Sequence, residues 1–154
     1  MADYLPPLGF SFKVEIEGFA TNSNDVEFQS VSGLNVDVEL EEIPEGGENR
    51  FKHKFPVKTK YPNLVLKRGM LVDSELINWF KDGIETFEIE PKTITIKLMK
   101  VEPEDDGSLQ PLYTWNIQGA YPIKWNVDAL NAEESKVVLE TVELAYNYFT
   151  SEKA

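Results

Sequence analysis

The sequence predicts a mainly β, single-domain fold: an antiparallel β-sandwich or barrel with one α-helix packed on it. Three observations carry this. Apolar and polar residues alternate at period two along most of the chain, as in half-buried strands. Clusters of Gly and Pro punctuate most of these runs. One clear stretch, near the middle, has helical spacing between a capping residue and a glycine.

The elements follow in order. Phe10, Phe12, Val14 and Ile16 share one face of a first strand, and Ser11, Lys13, Glu15 and Glu17 the other. A short second strand is expected over Val26 to Val31. Asn35 to Ile43 alternates again, with Val36, Val38 and Leu40 opposite Asp37, Glu39 and Glu41. Further strands are expected at Leu64 to Leu66, Thr93 to Val101, Tyr113 to Ala120 and Val138 to Phe149. The helix is expected over 73–82, with Asp73 or Ser74 as N-cap and Gly83 as its end. Leu76, Ile77 and Phe80 form its apolar stripe, with Trp79 at the edge. A second, shorter helical turn is expected around Ala132 to Ser135. Two segments read as loops: 44–56, long for a connection without structure, and the acidic turn from Glu102 to Ser108.

Composition narrows the chemistry. A chain of 154 residues fits one domain, expected to span 1–154. It contains no cysteine, which excludes thiol catalysis, thiolate metal sites and redox work. Its formal net charge is −12, which disfavours phosphate backbones and anionic membranes. No apolar run is long enough to span a bilayer. The opening Met1-Ala-Asp-Tyr-Leu-Pro-Pro7 is not expected to act as a secretion signal. If the protein acts outside the cell, another route, such as release by lysis as part of a particle, is expected to take it there.

Catalytic motifs are weak. His53 is the one histidine, and it sits between Lys52 and Lys54, so a Ser-His-Asp arrangement has nowhere else to turn. Glu102, Glu104, Asp105 and Asp106 lack the ligand spacing of a calcium loop. Carboxylates abound, but nothing singles out the pair a glycosidase needs. Gly46-Gly47 is not followed by a phosphate-binding Lys motif.

The charge pattern is sharper. Glu39, Glu41, Glu42, Glu45 and Glu48 fall in a stretch without a base. Arg50, Lys52, Lys54, Lys58 and Lys60 follow in a stretch without an acid. Either the two arms of a hairpin neutralise each other, or the segment is a dipolar surface that meets a neighbour head to tail.

Several segments carry a resemblance when taken in order and spacing. They are Leu8-Gly-Phe-Ser-Phe-Lys-Val-Glu-Ile16, Phe28-Gln-Ser-Val-Ser-Gly-Leu34 with Glu39, and Glu45-Gly-Gly-Glu-Asn49. Then come Tyr61-Pro-Asn-Leu-Val-Leu-Lys-Arg-Gly69, Trp79, Tyr121-Pro-Ile-Lys-Trp125, Leu130-Asn-Ala132 and Leu139-Glu-Thr-Val-Glu-Leu-Ala-Tyr146. Together they resemble the phage tail tube protein family, the inner tube proteins of contractile tails and injection systems.

The resemblance implies six subunits forming a ring, with their inner sheets joined into one continuous β-barrel around a channel. Rings stack inside a contractile sheath, between a baseplate with its initiator tube protein and a terminator cap. The cargo is DNA in phages and effector proteins in injection systems. It also implies assembly in the bacterial cytoplasm as part of a particle, released by lysis or anchored at a membrane, without direct membrane insertion. No enzyme activity and no cofactor are implied. With no added domain, the main repeated subunit is expected rather than the initiator. The loop at 44–56 becomes the inter-ring element, with Glu45, Glu48, Arg50, Lys52, His53 and Lys54 in contact. By alternation, the lumen-lining residues are expected to be Asp37, Glu39, Glu41, Thr95, Lys97, Asn116 and Gln118.

Two other classes remain open. A monomeric β-sandwich module binding protein or carbohydrate would use Trp115, Tyr121, Trp125 and Tyr148 as an aromatic platform. A carboxylate-based hydrolase would need a pocket and two carboxylates with separated pKa values.

Overall fold

A computed structural model describes residues 10–20, 26–44, 46–47, 50–100, 105, 109–133 and 136–153. In chain order the elements are β1 (Phe10–Ile16), β2 (Ser30–Ser32), β3 (Asp37–Ile43), β4 (His53–Lys60), β5 (Leu64–Gly69), α1 (Glu75–Thr86), β6 (Lys92–Lys100), β7 (Pro111–Val127), β8 (Leu139–Ala145) and β9 (Tyr148–Lys153). Seven strands form one antiparallel sheet in the order β1-β6-β7-β8-β5-β2, with β9 also on β7. Among the described residues, β3 and β4 pair only with each other.

The organising element is β7. Its first half pairs with β6 and β9, as in Asn116 opposite Thr95 and Thr150. Its second half pairs with β8, as in Trp125 opposite Val142. The strand changes partners at Gly119, which has φ 68 and lies against the Asn147 side chain. This conformation suits glycine, and a Cβ there would meet the Asn147 amide.

Tyr113 to Ala120 was expected as a strand ending before Pro122, but β7 continues to Val127. Pro122 adjoins a register shift between Pro122 and Lys124, where a missing N–H is tolerated. The expected strand Val138 to Phe149 is in fact two strands. Because β7 changes partners midway, its partner must break too, and the chain turns at Asn147, whose N–H donates to Gln118 at 2.9 Å. The second strand is shorter than expected, at Ser30–Ser32. The expected helical turn around Ala132 is a turn at Ala132 and Glu133, and Glu134 and Ser135 lie outside the described residues.

The two halves of the sheet face each other across the core. Val14, Ile16, Ile94, Ile96 and Ile117 come from one half, and Leu64, Leu66, Val142 and Leu144 from the other. These are the inward positions of the period-two pattern. Each fully buried aliphatic side chain contributes about 1.5–3 kcal/mol by leaving water.

Helix α1 adds Leu76, Ile77 and Trp79 to this core. Ser74 caps it, its Oγ accepting from the Ile77 N–H at 3.3 Å. Gly83 was expected to end the helix, yet it lies inside it. Phe87 takes the left-handed C-cap conformation instead, at φ 56. Trp79, expected at the stripe's edge, is buried, and its Nε1 donates to the Glu90 carbonyl at 2.9 Å. Phe80 is half-buried and packs edge-on against Trp125 at 6.5 Å.

One ion pair sits within this core. Arg68 Nε donates to Glu140 Oε1 at 2.8 Å, and both side chains are buried. Arg68 Nη2 donates to Ser74 Oγ at 2.6 Å, and Trp125 Nε1 donates to Glu140 Oε2 at 3.0 Å. The Arg68 guanidinium also lies over the Phe28 ring at 5.4 Å. One network therefore ties β5, β7 and β8 to the helix cap, and its charges are paired as buried charges must be.

Candidate assembly surfaces

The β3–β4 hairpin is the distinguishing feature. The segment 44–56 was expected to be a loop, but strand pairing resumes at His53, so only its first part connects the strands. The alternation of β4 is broken by Pro56 and by a register shift, which hides it from a period-two reading. The hairpin continues the β2–β5 pairing. Ser30 faces Lys67 and Asp37 faces Lys60 in the same register.

Directly opposed residues of an antiparallel pair share a face. Asp37 faces Lys60, Glu39 faces Lys58 and Glu42 faces Lys54. The two arms thus place opposite charges across from each other, as the neutralising reading requires. These residues are exposed, so each pair contributes little to stability.

The apolar residues of the hairpin are also exposed. On one face, near the base, lie Val38 and Leu40, with Pro56 opposite Leu40. On the other face, near the tip, Ile43 lies opposite His53 and Glu41 opposite Phe55. The His53 ring stacks on Phe55 at 6.1 Å and meets Phe51 edge-on at 5.3 Å. Val38, Leu40, Ile43, Phe51 and Phe55 are 48–54% exposed. The row Val36, Val38, Leu40 was expected to be one face of an ordinary strand, but neither face of β3 is buried within the chain. Phe51 and Phe55, inside a supposed loop, and Val57 just after it were the overlooked signal.

The inter-ring set divides. Arg50, Lys52, His53 and Lys54 lie at the tip of the hairpin, and Glu45 and Glu48 lie outside the described residues. The lumen set divides as well. Thr95, Lys97, Asn116 and Gln118 come together on the outward face of β6 and β7. Thr95 Oγ1 donates to Asn116 Oδ1 at 3.2 Å, Thr93 Oγ1 to Gln118 Oε1 at 3.4 Å, and Lys97 Nζ to Glu15 Oε1 at 3.2 Å. Asp37, Glu39 and Glu41 belong to the hairpin instead.

The four aromatics do not form one platform. Trp115, Tyr121 and Trp125 pack against the core, while Tyr148 is exposed. Burial pushes the Tyr146 phenol above its ordinary value of 10.0, and neighbouring Tyr61 adds to the shift. Among the described residues no cluster of His, Asp or Glu is arranged to hold a metal ion. Of the acidic turn only Asp105 is described, and Glu102, Glu104 and Asp106 lie outside. No helix among the described residues is long and apolar enough to cross a membrane.

A two-halved β-structure with a self-paired hairpin carrying exposed apolar patches is a building block made for contact with other proteins. The family of the T4-like virus tail tube protein gp19 matches residues 8–150, and the chain belongs to that family. No curated protein matches the chain. Among solved structures, one similar chain is in the six-fold symmetrised cryo-EM structure of the anti-feeding prophage baseplate. It has 25% identity and a TM-score of 0.78, over 99% of this chain and 98% of that one. Another is in the PVC sheath–tube complex of an extracellular contractile injection system in the extended state. It has 24% identity and a TM-score of 0.78, over 98% of this chain and 94% of that one. Hcp1 from Flavobacterium johnsoniae shares the fold at 15% identity and a TM-score of 0.53, over 93% of this chain and 95% of that one.

Proposed function

We propose that this tail tube protein is the repeated inner tube subunit of a contractile injection system. Six copies form a ring, and rings stack into a hollow tube inside a contractile sheath. The observation that supports this best is whole-chain likeness to a chain of the anti-feeding prophage baseplate, together with a hairpin whose apolar residues are left about half exposed in the single subunit. The subunit acts as a wall segment and not as an enzyme. Its partners are its own copies, the sheath protein, a baseplate tube protein and a terminator cap. The particle assembles in the cytoplasm without membrane insertion.

The hairpin tip, with Arg50, Lys52, His53 and Lys54, reaches the adjacent ring together with Glu45 and Glu48. Thr95, Lys97, Asn116 and Gln118 line the channel, with Asp37, Glu39 and Glu41 at the hairpin. A tube of subunits at −12 each does not hold DNA by charge attraction, which favours effector proteins as cargo. Mass photometry of the purified chain tests the reading. Species at six times 17.6 kDa and multiples of that mass are expected, and a single 17.6 kDa species at every concentration would favour a monomeric binding module.

A further inference from the structure

We propose that an aromatic latch inside the subunit, in which Tyr146 and Phe149 grip Tyr61 at the root of the β3–β4 hairpin, sets the direction of that arm and so makes the subunit competent to assemble. The three are positioning residues. Their role in assembly rests on the tube reading; their role in aiming the arm does not.

Two short connections carry the arm. Residues 33–36 lead from β2 into β3, and residues 61–63 lead from β4 into β5. They meet at Gly33, whose backbone, at φ 94, lies against the Asn63 carbonyl. Each connection is also tied to the body. Leu34 packs against the core, and Asn63 Nδ2 donates to Glu143 Oε1 of β8 at 2.9 Å. Pro62 follows Tyr61 and biases it towards extended backbone.

Tyr61 is the first residue past the arm. Its ring meets the Phe149 ring edge-on, with centres 5.2 Å apart, and the Tyr146 ring at 5.9 Å. The Tyr146 and Phe149 rings are 6.2 Å apart, so the three close a triangle. The Tyr146 hydroxyl donates to the Gly33 carbonyl at 3.5 Å. One side chain thus touches both connections. Tyr146 and Phe149 flank the turn at Asn147, where β7 changes partners. The arm is therefore rooted in the corner that joins the two halves of the sheet.

Among the described residues no strand of the body pairs with the arm, so its direction depends on this root. From Asp37 to Ile43 the arm spans about 20 Å at the usual strand rise, and a tilt of about 10° at its root carries the tip about 3–4 Å. Packed contacts are lost well within that distance. Aromatic rings hold preferred offsets and angles, so a triangle of them resists tilting. A loosened root is therefore read as a failure to assemble and not as a failure to fold.

The chain has no cysteine, so Lys52→Cys near the arm's tip and Lys81→Cys on α1, both exposed, give two dye sites in the full-length protein. Single-molecule fluorescence energy transfer at picomolar concentration reads the arm's direction in separated chains. Unlabelled variants are scored for rings and tubes by negative-stain electron microscopy, and thermal unfolding checks their fold. Tyr61 is outside the core cluster. Wild type and Tyr61→Phe are expected to show one narrow transfer peak and to build tubes. Tyr61→Ala is expected to show a broadened peak and to lose most of its rings and tubes. Should Tyr61→Ala not fold, Tyr61→Leu keeps apolar bulk without the ring and is read in the same way. A broad peak in wild type, a narrow one in Tyr61→Ala, normal tubes from Tyr61→Ala, or a Tyr61→Phe chain that behaves like Tyr61→Ala would overturn the latch. A narrow wild-type peak without rings at any concentration would overturn the tube reading, and with it the latch's role in assembly, while the peak still reports what aims the arm.

Discussion

Arg68 and Glu140 meet at 2.8 Å inside the core, with side chains only 3% and 0% exposed. They come from the neighbouring strands β5 and β8, opposite each other in register. Through Ser74 the pair also fixes the start of α1. This helix closes over the core with Leu76, Ile77 and Trp79, so one ion pair sets where the helix begins and how it docks.

Glu140→Ala leaves the Arg68 charge buried without its partner. Loss of about 3–5 kcal/mol is expected, since breaking a buried pair costs far more than the pair contributes. Arg68→Met combined with Glu140→Leu is expected to recover most of that loss. Urea unfolding of the two variants measures both effects, and equal loss in each would contradict the account.

Gly33 has φ 94 and its backbone lies against the Asn63 carbonyl, where the β2–β5 pairing hands over to the hairpin. A Cβ there collides with backbone that has little room to yield. Gly33→Ala is expected to cost at least about 1–3 kcal/mol. A lowered thermal midpoint would register this, and an unchanged midpoint would contradict it.

Arg50→Glu with Lys54→Glu reverses charge at the hairpin tip. Both residues are exposed, so the fold is expected to stay within about 0.5 kcal/mol of wild type. Stacking is expected to weaken. Tube length distributions from electron micrographs read the effect, and tubes of normal length would remove the tip from the ring-to-ring contact.

Tyr146 titrates above its ordinary 10.0 in the folded chain because burial disfavours the phenolate. Its folded value is raised above the unfolded one, so its contribution to stability is fully present below pH 10 and is lost as pH rises through the folded value. Tyr146→Phe should flatten the alkaline fall in stability while giving up the 3.5 Å hydrogen bond to the Gly33 carbonyl. Thermal midpoints measured from pH 8 upwards, for both proteins, check the sign.

The core strands were legible because Val14, Ile16, Ile94, Ile96 and Ile117 keep a strict inward period. β7 was not, because Pro122 reads as a stop when its neighbours are invisible, while beside a register shift it is tolerated. The end of α1 was misplaced because Gly83 offers a local stop, yet the helix keeps its hydrogen bonding to Thr86 and turns at Phe87. The hairpin was half legible. Its charge switch is visible in the chain, but Val38 and Leu40 alternate just as core residues do. Period two says that one side of a strand wants cover, and it does not say whether the cover comes from the same chain. Thr95 and Asn116, by contrast, were placed on one face by alternation alone, and the structure pairs them across β6 and β7.

The central claim is that this chain builds a tube. Negative-stain electron microscopy of the purified protein over a range of concentrations tests it most directly. Six-fold rings, lengthening into hollow tubes as concentration rises, are the predicted result. Featureless single particles of 17.6 kDa at every concentration, still unassembled when the cognate baseplate is added, would contradict it.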